Sequence, residues 1–251
     1  MSTYDTEILK YSRGCFEKSP DRIVREEPFE IFINGDKKYF CMRMPGMDYE
    51  LTLGLLFNEG VIDSLADIES CEFPPGGISI RIKKEPSAGV KKIYASSGSM
   101  MSDELVPPLF RCDGMITAEK IFTLQRDFFS LQKVFNETGG VHAVAFYSSG
   151  GELISFAEDV GRHNALDKCM GSAVISGKAE EIFLIMLSSR ISFEMIRKSY
   201  RTGAVVVAGV SAPTSGAVIV ADKKDITLIG FLRGEKFNIY SHYKRISGTV
   251  S

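Results

Sequence analysis

The chain has 251 residues, with 30 lysines and arginines against 32 aspartates and glutamates, so its formal net charge is −2. This balance argues against a nucleic-acid or membrane surface, and no stretch is apolar enough for a transmembrane helix or a signal peptide. Five scattered cysteines without a C-x-x-C pair argue against both a disulfide framework and a cysteine zinc site. We therefore expect a cytoplasmic protein.

The amino-terminal part predicts a small mixed α+β unit. Residues 1–25 are polar and predict a loosely packed lead-in, in which Ile23-Val24 is a candidate start of a strand. Apolar spacing beyond them predicts strands at 29–33, 38–42, 78–82 and 91–95, and a helix at 48–58. Asn34-Gly35 between the first two runs is typical of a β-hairpin. The run at 91–95 is a candidate partner for the strand at 78–82.

A change of composition follows at residues 96–102, which are small and polar without periodicity. This stretch predicts a surface loop or linker. Turn signals at Pro107-Pro108 and Asp113-Gly114 follow, with Cys112 between them. We therefore predict a boundary here, between an amino-terminal mixed α+β domain, residues 1–114, and a carboxyl-terminal α/β domain, residues 115–251.

The second part alternates strands and helices. A long apolar stripe predicts a helix at 117–137, in which the phenylalanines are typical of core packing. Apolar runs predict strands at 141–147, 152–156, 182–187, 204–208 and 226–231. Continuous apolar runs between helices indicate strands buried on both faces, as in an α/β sheet. The fold class of this part is therefore predicted as α/β.

Residues 156–167 hold the densest group of polar residues, between a predicted strand and the helix that it feeds. Gly161 can turn the chain or allow a ligand to approach closely. The unpaired N–H groups at the start of the helix favour bound anions. Each residue alone is typical of a capped, solvated turn, but the whole group predicts a site.

Ligands of such sheets bind at the carboxyl ends of the strands. Four segments are expected there: 158–164, 188–190, 209–215 and 233–236. Their basic side chains and the helix starts suit a phosphate-bearing ligand. Glu158 and Asp159 are candidates for binding the hydroxyl or amino groups of a nucleotide, or for stapling the turn.

Several other site classes lack their motifs. The chain contains neither a P-loop nor a G-x-G-x-x-G fingerprint. A zinc deaminase needs His-x-Glu and Pro-Cys-x-x-Cys, whereas His142 precedes Ala143-Val144 and Ser188-Ser189-Arg190 contains no cysteine. A serine nucleophile has no G-x-S-x-G elbow. Alone, each histidine is at least as typical of a hydrogen-bonded structural residue.

Four segments nevertheless resemble one known family. They are Thr-Gly-Gly-Val-His-Ala at 138–143, Glu-Asp-Val-Gly-Arg-His-Asn-Ala-Leu-Asp-Lys at 158–168, Ser-Ser-Arg-Ile-Ser-Phe-Glu-Met at 188–195 and Phe-Leu-Arg-Gly-Glu-Lys-Phe at 231–237. They resemble the FdhD/NarQ family, the formate dehydrogenase accessory sulfurtransferases. The resemblance extends from about residue 25 to the end, and the second segment is its most specific part.

The resemblance implies a cytidine-deaminase-like carboxyl-terminal domain without the zinc ligands. It implies a cytoplasmic homodimer that takes sulfur from a cysteine desulfurase and passes it to the bis(molybdopterin guanine dinucleotide) molybdenum cofactor for formate dehydrogenase. The family segment for this cofactor corresponds to residues 231–236. With the other predicted segments, the expected cofactor contacts are Phe231, Leu232, Arg233, Gly234, Glu235, Lys236, His142, Glu158, Asp159, Arg162, His163, Asn164, Ser188, Ser189 and Arg190, and no metal site is expected.

One departure concerns the family's Cys-Gly-x-Cys loop, in which one cysteine carries the persulfide. The corresponding residues here are Ser97-Gly98-Ser99-Met100, and neither a hydroxyl nor a thioether forms a persulfide. Three hypotheses follow. The protein is a sulfur carrier that uses another cysteine, with Cys112 the best candidate, or a cofactor chaperone without sulfur chemistry, or an interaction protein that regulates a partner.

Overall fold

The structure is a computed structural model that describes residues 2–83, 93–94 and 105–248. Its strands are β1 (Thr3–Ser12), β2 (Cys15–Val24), β3 (Glu27–Ile33), β4 (Asp36–Arg43), β5 (Ile68–Glu72), β6 (Gly77–Ile82), β7 (Ile93–Tyr94), β8 (Ile116–Thr117), β9 (His142–Tyr147), β10 (Leu153–Asp159), β11 (Leu184–Leu187), β12 (Val206–Gly209), β13 (Thr227–Arg233), β14 (Lys236–Ser241) and β15 (Ile246–Ser247). Its α-helices are α1 (Asp48–Asn58), α2 (Ala118–Leu131), α3 (Lys133–Thr138), α4 (Arg162–Ile175), α5 (Phe193–Arg201) and α6 (Ser215–Lys223). Within these ranges, no helix is long and apolar enough to span a membrane.

The larger sheet has six strands in the order β10-β9-β11-β12-β13-β14. Strands β11, β12 and β13 are parallel, while β9 is antiparallel to both of its neighbours, and β14 is antiparallel to β13. Alternate residues of the central strands belong to two different core clusters, one on each face of the sheet. The prediction of strands buried on both faces is therefore confirmed.

The smaller sheet has the order β5-β6-β3-β4-β7. The predicted hairpin at Asn34-Gly35 is correct, since β3 and β4 pair across it. The predicted pairing of 91–95 with 78–82 is wrong, because β7 pairs with β4 while β6 lies between β3 and β5. Ser97–Met100, where the family loop was placed, lie outside the described residues.

The two parts of the chain meet where α1 crosses α4. A Cβ atom on Gly54 would lie 1.8 Å from the carbonyl oxygen of Asp167, and one on Gly171 would lie 1.9 Å from that of Glu50. Only glycines allow this close approach. One core cluster contains residues of both parts, and the predicted division at residue 114 stays a prediction.

Two local predictions are wrong. The predicted lead-in, residues 1–25, forms an antiparallel hairpin of β1 and β2. The predicted helix at 117–137 is broken at Gln132, because Glu158 accepts hydrogen bonds from the N–H groups of Val134 and Phe135 and caps a second helix, α3. As a result Phe128 is buried as expected, but Phe135 is 43% exposed.

Candidate functional site

The six-stranded sheet gathers the predicted segments along one edge. Because β10 and β11 are both antiparallel to β9, they run in the same direction, and β12 and β13 follow β11. Their carboxyl ends therefore lie at one edge, where His142 begins β9 opposite Asp159. We call this the carboxyl edge, which consists of His142 and residues 158–164, 188–190, 209–215 and 231–236.

The buried side chain of Asp159 holds together the segments that form this edge. Its side chain is fully buried, and its Oδ2 lies 2.7 Å from Nζ of Lys168, which is also buried. The same carboxylate accepts hydrogen bonds from the backbone N–H groups of Met44 at 3.1 Å and Gly161 at 2.9 Å, and from the Asn164 amide at 2.9 Å. These partners satisfy a charge that would be costly to bury alone. Asp159 therefore fastens the start of α4 to the amino-terminal part.

Asn164 completes this fastening. Its Nδ2 donates to the carbonyl oxygen of Met42 at 2.8 Å as well as to Asp159. A Cβ atom on Gly161 would lie 2.9 Å from that Nδ2, so glycine is required for the approach of the amide. The φ of Gly161 is −95°, which any residue can adopt. Gly161 thus makes room for a side chain, and the predicted turning role is not needed.

Other predicted site residues also have partners within the protein. Both oxygens of Glu158 are bound by α3, at 2.8 and 2.9 Å. The Ser188 hydroxyl accepts from the N–H of Ala143, and the Ser189 hydroxyl donates to the carbonyl oxygen of Arg190. These contacts give the side chains structural roles. Ligand contact by any of them stays a prediction.

The cationic side chains form the accessible part of the edge. Burial lowers the pKa of His142, and the charges of Arg162, Arg190 and His163 lower it further. Nε of Arg162 is buried and has no hydrogen-bond partner among the described residues. Arg190 is exposed and forms no ion pair within the same ranges. Nε2 of His163 lies 3.1 Å from a carboxylate oxygen of Glu194. Positive charge is therefore in excess around His142.

The segment 231–236 comprises the end of β13 and the turn into β14, at the same edge of the sheet. Phe231 has a left-handed φ of 53° at an irregularity in the pairing, and its side chain is 40% exposed. A bulky residue in this conformation costs about 1–3 kcal/mol, and such strain clusters at ligand sites. Nε of Arg233 donates to the carbonyl oxygen of Val210 at 3.0 Å. Leu232 is buried in the core, whereas Gly234, Glu235 and Lys236 are exposed.

This arrangement suits the binding of phosphate groups. Guanidinium and ammonium groups, together with the N–H groups at the start of α4, present donors and positive charge at one edge. Glu158 and Asp159 are engaged inside the protein, by α3 and by Lys168, and do not pair with these guanidinium groups. Among the described residues, no three side chains of the metal-ligating types come together.

Cys112, the candidate sulfur carrier, lies at the opposite end of the sheet. Its Sγ donates to the carbonyl oxygen of Glu180 at 3.0 Å, and Glu180 precedes β11 whereas Ser188 follows it. The four residues of β11 span about 13 Å. Burial raises the pKa of Cys112, and the charges of Asp113 and Glu181 raise it further. A protonated thiol away from the carboxyl edge is poorly suited to the predicted role.

The residues around Cys112 form what we call the amino edge, residues 111–112, 180–183, 225–227 and 242–245. Three of its basic side chains share one carboxylate, that of Asp225, which lies 3.1 Å from Arg111, 3.0 Å from His242 and also pairs with Arg245. A cavity of about 460 Å³ borders this cluster. Arg111 also donates to the carbonyl oxygen of Asp225, and the His242 ring contacts that of Asp222. The cluster therefore caps the end of α6.

The remaining four cysteines differ in how exposed they are to solvent. Burial raises the pKa of Cys41 to about 12 and also raises that of Cys71 and Cys169. Cys15 is the single exposed cysteine of the five, beside the turn of the β1–β2 hairpin. The sequence did not indicate this residue, because it lay in the predicted lead-in. The most accessible thiol was therefore missed because the hairpin that carries it was not predicted.

Comparisons with known proteins place the chain in a family. Residues 24–247 match the model of the FdhD/NarQ family, and the chain belongs to that family. The chain is 36% identical to the sulfur carrier protein FdhD of Sulfolobus acidocaldarius, over 98% of this chain and 99% of that protein. It is 31% identical to the protein of the same name from Streptomyces coelicolor, over 96% and 94%.

A solved structure gives the same fold. It is the crystal structure of a formate dehydrogenase accessory protein from Desulfotalea psychrophila, with a TM-score of 0.83 and 23% identity, which covers 98% of this chain and all of that one. The mixed α/β architecture is therefore shared with that protein. The cytidine-deaminase-like description of the carboxyl-terminal part stays a prediction.

Proposed function

We propose that this protein serves in the maturation of formate dehydrogenase by holding the bis(molybdopterin guanine dinucleotide) molybdenum cofactor at the carboxyl edge. The observation that carries the proposal is the excess of positive charge around His142, where Arg162 and Arg190 have no carboxylate partner among the described residues. A ligand with several phosphates would supply the missing negative charge. The name of the solved protein from Desulfotalea psychrophila supplies the link to formate dehydrogenase, and the names of the sequence relatives supply the link to sulfur carriage.

Particular residues fit particular parts of this ligand. Arg162 and Arg190 would bind phosphate oxygens beside the start of α4. The exposed ring of Phe231 offers a face on which a guanine base can stack, next to Arg233. Asp159 and Asn164 would position the helix without touching the ligand. We further propose that the protein acts in the cytoplasm as a homodimer.

Two versions of this function differ in whether a cysteine of the protein carries sulfur. In the first, a cysteine desulfurase transfers its terminal persulfide sulfur to a cysteine of this protein, which passes it to the cofactor. In the second, the protein is a chaperone that binds and delivers the cofactor without carrying sulfur. The raised pKa of Cys112 and its distance from the carboxyl edge favour the second version, unless the exposed Cys15 is the carrier.

Calorimetry with guanosine diphosphate tests the binding site. We expect Arg190→Ala to weaken binding about 10- to 100-fold, because a hydrogen bond to a charged group contributes about 1.5–3 kcal/mol. The matched control is Arg126→Ala, since Arg126 is also exposed but lies on α2 and binds only Thr123 among the described residues. Equal loss in both variants, or no binding by the unaltered protein, would reject the site.

Intact-protein mass spectrometry decides between the two versions. The protein is incubated with a cysteine desulfurase and cysteine, and a reducible gain of one sulfur is sought in the unaltered protein, in Cys112→Ser and in Cys15→Ser. A gain that only Cys15→Ser abolishes makes this protein a sulfur carrier with a relocated thiol. The absence of any gain, with guanosine diphosphate still bound, identifies the chaperone.

A further inference from the structure

The β1–β2 hairpin is an arm attached to the rest of the protein at one end. Ten residue pairs join its strands, from Thr3 opposite Val24 to Ser12 opposite Cys15. Arg13 and Gly14 form the tip with φ values of 51° and 88°, as a tight hairpin turn requires. The base is held by Arg22, which lies 3.3 Å from Glu137 of α3, and by Val24, which packs beside Gly140.

The arm exposes large apolar side chains along its whole length. The exposed fractions are 53% for Tyr4, 60% for Leu9, 65% for Tyr11, 69% for Phe16 and 44% for Ile23. The rings of Tyr11 and Phe16 lie 5.1 Å apart and form an aromatic pair next to the tip. No residue of β1 or β2 is buried. A monomer therefore leaves an apolar surface in water, which is typical of an interaction site.

The backbone hydrogen bonding of the arm is also incomplete. Within the described ranges, β1 and β2 pair only with each other, so each presents an outer edge of unpaired N–H and C=O groups. An isolated two-stranded hairpin is at best marginally stable in water. The family match begins at residue 24, where the arm ends. Such an arm is stabilised when another chain covers it.

The charges of the arm suit a copy of itself. It carries four acidic and four basic side chains, namely Asp5, Glu7, Glu17, Asp21, Lys10, Arg13, Lys18 and Arg22. Opposite charges already pair across its strands, as between Lys18 and Glu7 at 2.9 Å. A surface with no net charge does not attract nucleic acid or an anionic membrane. Two such surfaces related by a two-fold axis can match acids with bases and apolar side chains with each other.

We propose that the β1–β2 arm is the contact surface of the homodimer, and that each arm packs in the opposite direction against the arm of a second copy. This inference rests on the dimer proposed above and identifies its interface. In that arrangement the ribbon face that carries Leu9, Tyr11 and Phe16 packs against the same face of the other arm, so that the tip of one arm lies over the base of the other.

The size of the arm sets how much of the interface it can form. Ten residues at about 3.3 Å each give a length of about 33 Å, and two strands make a ribbon roughly 10 Å wide. The one face that packs against the other arm offers roughly 330 Å², compared with the ~800 Å² that each partner contributes to a standard interface. The arm therefore provides part of the area that a specific dimer needs, and the surface around its base supplies the rest.

Sedimentation equilibrium of a variant with added charges near the tip of the arm tests the proposal. Leu9→Glu combined with Phe16→Glu should weaken dimerisation at least about 100-fold, since central apolar and aromatic side chains dominate interface energies. The matched control is Phe73→Glu, because Phe73 is 64% exposed but lies outside the arm. It should leave the dimer unchanged. Both altered positions are exposed, so circular dichroism should show a folded protein in each variant.

Cross-linking of a mixture of isotopically heavy and light protein gives a second measurement. We expect heavy–light links that join Lys10 or Lys18 of one copy to lysines of the other. A dimer that the tip variant leaves intact, without such links, overturns the arm as its surface but not the dimer. A monomer at every concentration overturns both. Guanosine diphosphate should bind equally well to all of these variants. A failure of the proposed cofactor site can therefore be distinguished from a failure of the proposed dimer surface.

Discussion

The two edges of the six-stranded sheet use similar residues in opposite ways. At the amino edge, Arg111, His242 and Arg245 converge on the carboxylate of Asp225. At the carboxyl edge, Arg162 and Arg190 lack a carboxylate partner among the described residues, because the nearby acids are bound inside the protein. The first cluster closes a helix end, and the second leaves charge available for a ligand.

This difference shows that a count of charged residues does not locate a site. Both edges are rich in arginine, and the amino edge also borders a cavity of about 460 Å³ and the predicted carrier Cys112. What distinguishes the carboxyl edge is that Arg162 and Arg190 have no carboxylate partner within the described part of the chain. Function is therefore better predicted from the partners of each cation than from its presence.

The largest expected effect concerns the buried acid of the carboxyl edge. Asp159→Ala should lower the free energy of unfolding by about 3–5 kcal/mol, because it leaves the buried Lys168 ammonium without a counter-charge, bound only to the carbonyl oxygen of Met44. Asp225→Ala at the amino edge should cost about 1 kcal/mol or less, since its side chain is 55% exposed. Urea unfolding measures both values. Equal losses would show that the two edges do not differ in the way described.

A smaller effect should appear in the pH dependence of stability. Burial and the nearby cations place the pKa of folded His142 below its ordinary value of 6.5. The unfolded chain therefore takes up a proton below about pH 6.5 that the folded protein does not, so the stability falls as the pH falls through this range and is unaffected above it. His142→Gln should remove this contribution from the urea midpoint.

The control for this prediction is His242→Gln at the amino edge, where the ring pairs with Asp225. Because His242 lies at the other edge of the sheet, its replacement should leave the contribution of His142 in place. If His142→Gln shows the same decline below pH 6.5 as the unaltered protein, the cationic surroundings inferred for His142 are wrong.

The smallest effect concerns the thiols. Iodoacetamide should modify the exposed Cys15 before Cys112, because burial and the neighbouring acids keep the Cys112 thiol protonated at neutral pH. Peptide mass spectrometry over a time course measures the order. Faster modification of Cys112 would contradict the account of the amino edge and restore this residue as a candidate carrier.

Much of the fold could be predicted from local pattern. The apolar runs of β11, β12 and β13 and the Asn34-Gly35 hairpin were correctly identified, because burial on both faces and turn chemistry act over a few residues. The β1–β2 arm was missed because its exposed strands carry polar residues on both faces and lack the alternation of a half-buried strand.

The carboxyl edge could be located from sequence, but its individual roles could not. Strand ends and helix starts are local signals, and they correctly brought 158–164 and 188–190 to one edge. The partner of Asp159 at Met44 lies 115 residues away in the chain, so nothing near Asp159 indicated that it was bound internally. Likewise the break of the helix at Gln132 depends on Glu158, which belongs to another strand.

Hydrogen exchange with and without guanosine diphosphate tests the contrast between the edges most directly. We predict slower amide exchange on addition of the nucleotide in peptides that cover residues 158–164, 188–190 and 231–236. Peptides that cover 110–116 and 222–228 at the amino edge should exchange at unchanged rates. Protection at the amino edge, with none at the carboxyl edge, would contradict the account and assign the ligand to the cluster around Asp225.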